Sequence, residues 1–229
     1  VATPEKGMYV DLVTGGTLSQ YNSILGNTTG TIDENPIAST TVMNFAICQG
    51  LDFLILYELD KAIFTNSGAS TFRTSFKPKL AHFVKKAKLK GLDVGCARST
   101  SLDSLDCIID FNNTRVDPDE KMTLWTTEYE WWFNDTYQDF LDMISRIDTR
   151  NAALKAAGIA RNICYIGHCH QAGYTYPLDG GGAYDPIPTD EVATLNASTI
   201  DVLAFHAYAR IPNYGYVKDR VRAMTSVKD

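Results

Sequence analysis

Three features of the amino-acid sequence predict an α/β protein of the (β/α)8 TIM-barrel type: strand-like and helix-like segments alternate six times, no glycine-rich nucleotide loop follows the first strand, and polar side chains gather at the carboxyl ends of several strands. The linkers are short enough for right-handed parallel crossovers. A closed barrel needs eight strands and six are recognisable, so two strands hide in loops, the barrel is incomplete, or the chain is a fragment of a longer one. Residues 1–229 are read as a single barrel domain.

The elements follow in order. Met8 to Val13 is a short β-prone run closed by Thr14-Gly15-Gly16, and the polar stretch Thr17 to Asn35 is a loop. After Pro36, the apolar positions Ile37, Val42, Met43, Ala46 and Ile47 recur at nearly helical spacing until Gly50. Phe53 to Leu59 is an almost unbroken apolar run, as expected of a strand covered on both faces. Ser75 to Lys90 is an amphipathic helix with Pro78 in its first turn, Gly91 as its stop and its lysines on a solvated face. Leu92 to Ala97 is a third strand running into Arg98, and Leu102 to Phe111 a shorter helix. Lys121 opens a fourth strand. Thr136 to Gly158 is a long helix with Phe140, Leu141, Ile144, Ile147, Ala152 and Leu154 at helical spacing. Asn162 to His168 is a fifth strand, residues 171–188 a Gly/Pro/Tyr-rich loop, Glu191 to Leu195 a helix, Ile200 to His206 a sixth strand, and Tyr214 to Met224 a final helix.

The fourth strand organises the chemistry. Residues 121–132 begin as a β-branched and aromatic run and end in two carboxylates, and strand period puts Thr126, Glu128 and Glu130 on one face. Carboxylates at the end of an apolar strand, rimmed by Tyr129, Trp131 and Trp132, point to acid/base work beside an aromatic surface, against the plainer reading of an exposed strand end. By the same period Cys164, Ile166, His168 and His170 share a face of the fifth strand, and Val202, Ala204, His206 and Tyr208 a face of the sixth.

Composition narrows the partners. With 229 residues, 45% hydrophobic and 21% charged, the chain can bury one full core. A net charge of -6 and the lack of a long basic cluster argue against nucleic acid. No apolar run is long enough to cross a bilayer, so no membrane partner is expected. The N-terminus shows neither an initiator Met nor a signal-peptide core, as in a processed form. Cys48, Cys96, Cys107, Cys164 and Cys169 form no C-x-x-C; their spread fits buried thiols better than a disulfide framework and leaves room for one or two bridges. Sequons at Asn27, Asn112, Asn134 and Asn196 would accept glycans in a secretory setting but arise easily by chance in a chain rich in Asn and Thr; the aromatic content of 11% leans weakly toward a secreted or extracytoplasmic protein.

Two strands carry a resemblance. Asp201-Val202-Leu203-Ala204-Phe205-His206-Ala207-Tyr208 resembles the sixth strand of retaining barrel glycoside hydrolases, where a His-x-Tyr pair lines the sugar site. Leu124 to Glu128 resembles their fourth strand, with Thr127 in place of the Asn that precedes their acid/base Glu. Thr126-x-Glu128-x-Glu130 is also similar to the D-x-D-x-E strand of chitinase-like family 18 enzymes, both preceding Asp being replaced. That second resemblance implies Glu130 as general acid, Glu128 as the residue assisting it, and Tyr208 as the sixth-strand Tyr.

A retaining double displacement needs a second carboxylate across the bond, about 5 to 5.5 Å from the first. No Glu follows Glu191, so the sequence favours the substrate-assisted route, in which the substrate's N-acetyl group is the nucleophile. The reading is a glycoside hydrolase-like barrel with Glu130, Glu128, Tyr208 and His206 as catalytic residues and Trp131, Trp132, His168, His170, Arg98 and Tyr174 binding carbohydrate, Tyr176 offering a further stacking face, with no metal and no cofactor. One alternative is a metal-dependent barrel hydrolase with His168, His170 and His206 as ligands beside Glu128 or Glu130. The other is a barrel that binds glycans without cutting them.

Overall fold

The computed structural model describes residues 5–11, 36–57, 59, 77–98, 105–127, 137–166 and 189–205. Its strands are β1 (Gly7–Asp11), β2 (Phe53–Tyr57), β3 (Asp93–Arg98), β4 (Leu124–Thr127), β5 (Arg161–Ile166) and β6 (Val202–Phe205). Between them lie α1 (Pro36–Cys48), α2 (Lys77–Lys88), α3 (Leu105–Asn113), a single 3-10 turn at Pro118–Glu120, α4 (Tyr137–Ala156) and α5 (Thr189–Ala197). The predicted helix at 214–224 lies outside the described residues.

The six strands form one sheet in the order β1-β2-β3-β4-β5-β6. The pairings of β1 with β2, β2 with β3, and β5 with β6 are parallel. Each strand is laid beside its predecessor, the order that successive right-handed crossovers produce. A doubly wound sheet would reverse its order at a switch point. The fold is that of an incomplete (β/α) barrel with six strands. No described helix is long and apolar enough to cross a membrane.

The chain falls into two compact units. The first comprises Val1–Thr126 and Ala152–Arg161. Its register aligns Tyr9 with Ile55 and Ile55 with Gly95 on one face, and Val10 with Leu56 and Leu56 with Cys96 on the other. Tyr9 and Tyr57 meet edge to face at 6.1 Å. Leu54, Ile55 and Leu56 are buried in succession, as the apolar run predicts. α2 packs Leu80, Ala81, Phe83, Val84 and Ala87 inward, and its Lys86 donates to Ser39 of α1 at 3.0 Å. The stop signals hold where the backbone demands them. Gly91 (φ 81°) and Gly158 (φ 97°) take the left-handed conformation, and the amides of Leu92 and Ile159 reach back to the carbonyls of Ala87 and Leu154.

Several expectations are corrected. Lys79 is buried, 4% exposed, and its Nζ has no hydrogen-bond partner among the described residues, so the lysine face of α2 is not uniformly solvated. Ile47 and Cys48 are exposed, whereas Met43 and Ala46 point inward, because α1 is apolar nearly all round and its periodicity marks no single face. β4 begins at Leu124 and not at Lys121. Just ahead of it the buried Asn112 carboxamide holds Met122 at both ends, donating to its carbonyl at 2.9 Å and accepting from its amide at 3.0 Å.

The second unit comprises Thr127–Asn151 and Asn162–Asp229. α4 buries Phe140, Met143, Ile144 and Ile147. The approach to β6 is tied to it by Asp148, which accepts from both the amide and the hydroxyl of Thr199 at 2.7 Å. Asn162 donates its side chain to Asn151 of α4 at 2.9 Å and its amide to Asp201 at 2.7 Å. Cys96, Cys107 and Cys164 are buried thiols, as the sequence suggests, and Cys169 lies outside the described residues. Burial pushes the Cys164 thiol well above its ordinary value.

Candidate functional site

The strand ends that would carry a barrel site are defined by which face of each strand looks inward. β4 has all four residues buried. The Thr127 hydroxyl lies 3.7 Å from the sulfur of Met143 on α4, so Thr127 faces the helix layer. Alternation then turns Leu124 and Thr126 to the opposite, inner face. Leu124 agrees: it stands against Gly95 of β3 so closely that a Cβ on Gly95 would lie 2.5 Å from the Leu124 Cβ.

β5 alternates in the same way. Arg161 donates to Asp93 at 3.0 Å and lies over the Phe53 ring at 5.6 Å, both on the inner face, while Asn162 reaches outward to α4. Ile163 therefore points inward and Cys164 outward. The β5–β6 register aligns Ile163 with Val202 and Cys164 with Leu203, so the inner row of β6 begins with Val202 and Ala204.

Of the predicted site residues, Arg98 is the last residue of β3. Glu128, Glu130, Trp131, Trp132, His168, His170, Tyr174, Tyr176, His206 and Tyr208 lie outside the described residues. So do Tyr129 and the histidines of the metal alternative. Among the described residues no group of three or more His, Cys, Asp or Glu side chains is placed to hold a metal ion.

Two charged residues at informative places escape sequence reasoning. Glu191 is fully buried in the first turn of α5, at the end of the helix where aligned peptide dipoles favour an anion. An acidic residue in a first turn is a readable signal, but its burial is not. Arg161, at the start of β5, meets three inner-face groups drawn from separate elements, and no local pattern announces it.

No family model matches the sequence, and no curated protein does. Among solved structures the chain is similar to a GH5 glycoside hydrolase from Streptomyces cattleya in complex with Manb1-4GlcNAc, at 13% identity and a TM-score of 0.45, over 72% of this chain and 45% of that one. It is also similar to a sugar phosphate isomerase/epimerase from Parabacteroides distasonis, at 15% identity and a TM-score of 0.45, over 98% of this chain and 74% of that one. The chain thus spans less than half the length of the glycoside hydrolase it matches.

Proposed function

We propose that this chain is a sugar-acting (β/α) barrel that hydrolyses glycosidic bonds, with Glu130 as general acid and Glu128 as the carboxylate that assists it. The observation that carries the reading is the outward-facing Thr127. If β4 keeps its alternation, the even-numbered positions after Thr126 stay on the inner face, at the end of the strands where barrel sites are built. The β5–β6 register supports two partners for them. Even-numbered positions of β6 are inner, so His206 and Tyr208 share the parity that leads to the mouth.

His168 and His170 carry the opposite parity, that of the outward Cys164. They would reach a sugar only where the chain after β5 abandons strand alternation, so the proposal gives them a lesser part. Trp131, Trp132, Tyr174 and Tyr176 would offer stacking faces to sugar rings. In the reaction the proximity of the Glu128 charge keeps Glu130 protonated. Glu130 delivers its proton to the departing glycosidic oxygen while an N-acetyl group of the substrate attacks the anomeric carbon.

The test is hydrolysis of an N-acetylglucosaminide reporter. Glu130→Gln, with the fold retained, should lower the rate by about 10²–10⁴-fold, the usual worth of a positioned general acid. Wild-type protein that binds glycans and cleaves none would replace catalysis by glycan recognition. Stoichiometric zinc or manganese in the purified protein would overturn the reading in favour of metal-assisted hydrolysis.

A further inference from the structure

In a flat parallel sheet β5 lies four strands from β1, about 19 Å away at the usual inter-strand spacing of about 4.8 Å. That is far beyond the reach of one side chain. Yet the Arg161 guanidinium, from the first residue of β5, is paired with Glu5, immediately ahead of β1. Its other nitrogen lies 3.0 Å from Asp93 at the start of β3, and its carbon 5.6 Å from the centre of the Phe53 ring at the start of β2. The ring is in turn pressed onto the start of β1, filling the place a Cβ on Gly7 would take. One cation thus gathers the amino ends of β1, β2 and β3 to that of β5.

A closed barrel holds its curl by hydrogen-bonding its last strand to its first. Among the described residues β1 pairs with β2 alone and β6 with β5 alone. The geometry points to the Arg161–Glu5–Asp93–Phe53 cluster as a strap that holds the amino ends of β1, β2 and β3 to that of β5, so that releasing Arg161 frees β1 before the rest of the fold. The strap sits at the amino ends of the strands, away from the rim of the proposed site, and the inference stands independently of the function proposed above. Arg161 is suited to it. The planar guanidinium bridges two carboxylates and stacks on an aromatic face at once, which a lysine ammonium cannot do.

Hydrogen exchange on the full chain, resolved by peptide, tests this. Arg161→Met keeps the aliphatic stem and removes the charge. It should lower amide protection across Gly7–Asp11 by about tenfold or more while protection in the Phe140–Ile147 part of α4 stays within about twofold of wild type. Arg161→Lys should give an intermediate loss confined to the same strand. Protection of β1 unchanged in folded Arg161→Met, or lost equally in β1 and α4, overturns the strap. Should Arg161→Met not fold, Glu5→Gln combined with Asp93→Asn reads the same contrast, with the same two outcomes deciding it.

Discussion

Gly95→Ala is the sharpest test of the inner face as described. The added methyl would lie 2.5 Å from the Cβ of Leu124, 2.9 Å from its carbonyl oxygen and 3.1 Å from its carbonyl carbon. Carbon atoms sit comfortably at about 3.5–4.0 Å, so β3 and β4 must separate by about 1 Å or the methyl must distort its own strand. Overpacking of this kind costs about 1–3 kcal/mol. For a chain of this size each kcal/mol lowers the melting temperature by about 2–4 °C, giving an expected fall of about 2–12 °C. Calorimetry and urea unfolding at one pH would measure it. Leu124→Ala in the same chain should not rescue the loss, because the Cβ and the carbonyl that make the clash both remain. Gly50→Ala is the contrasting control: nothing lies within 4 Å of its missing Cβ, but its φ of 63° makes an L side chain costly by about 1–2 kcal/mol through backbone strain alone. A Gly95→Ala protein within about 0.5 kcal/mol of wild type would refute the close approach of β3 to β4, and with it the assignment of Leu124 and Thr126 to the inner face.

Asn112→Ala strands a buried amide and a buried carbonyl of Met122, and should cost about 2–5 kcal/mol in denaturant unfolding; a loss below about 1 kcal/mol would mean water takes over both bonds. Lys79→Met removes a buried side-chain nitrogen with no hydrogen bond among the described residues and should be neutral or stabilising by about 1–4 kcal/mol, whereas a lower urea midpoint would reveal a partner in solution. Asp117 is held below the ordinary carboxylate value, chiefly by the hydrogen bond from Lys85 at 2.6 Å and by the Asp119 amide, and Lys85 is raised in return. The pair's contribution is therefore present above the ordinary carboxylate range and lost as pH falls through the lowered Asp117 value; at the alkaline end it is lost as pH rises through the raised Lys85 value. In Lys85→Gln the Asp117 titration followed by NMR should move up toward the ordinary value, and an unmoved midpoint would contradict the pairing.

Much of the scaffold was legible because single residues carry single instructions. The Phe53–Tyr57 run is apolar at successive positions because both its faces are covered, and Gly91 and Gly158 stand where a left-handed residue must end a helix. The misreadings have equally local causes. Ile47 shares the near-helical spacing of the apolar residues of α1 yet is exposed, because that spacing spreads apolar residues over more than one side of the helix. Lys79 was counted among solvated lysines, since a sequence shows charge and not what folds over it. For the site, spacing alone unites Thr126 with Glu128 and Glu130. The sequence does not contain the register between β5 and β6, which pairs Ile163 with Val202 and Cys164 with Leu203. Arg161 shows the same limit, its partners being 68 residues apart or more and related only through the sheet.

The unbroken strand order also shapes how the chain can be made. Because every strand docks on the one synthesised just before it, each β/α repeat leaving the ribosome finds its template already made. Arg161 is the exception: its grip on Glu5 joins the start of β5 to the start of β1 and must wait until β5 has emerged. Until then the first strands have only their sequential neighbours to lean on.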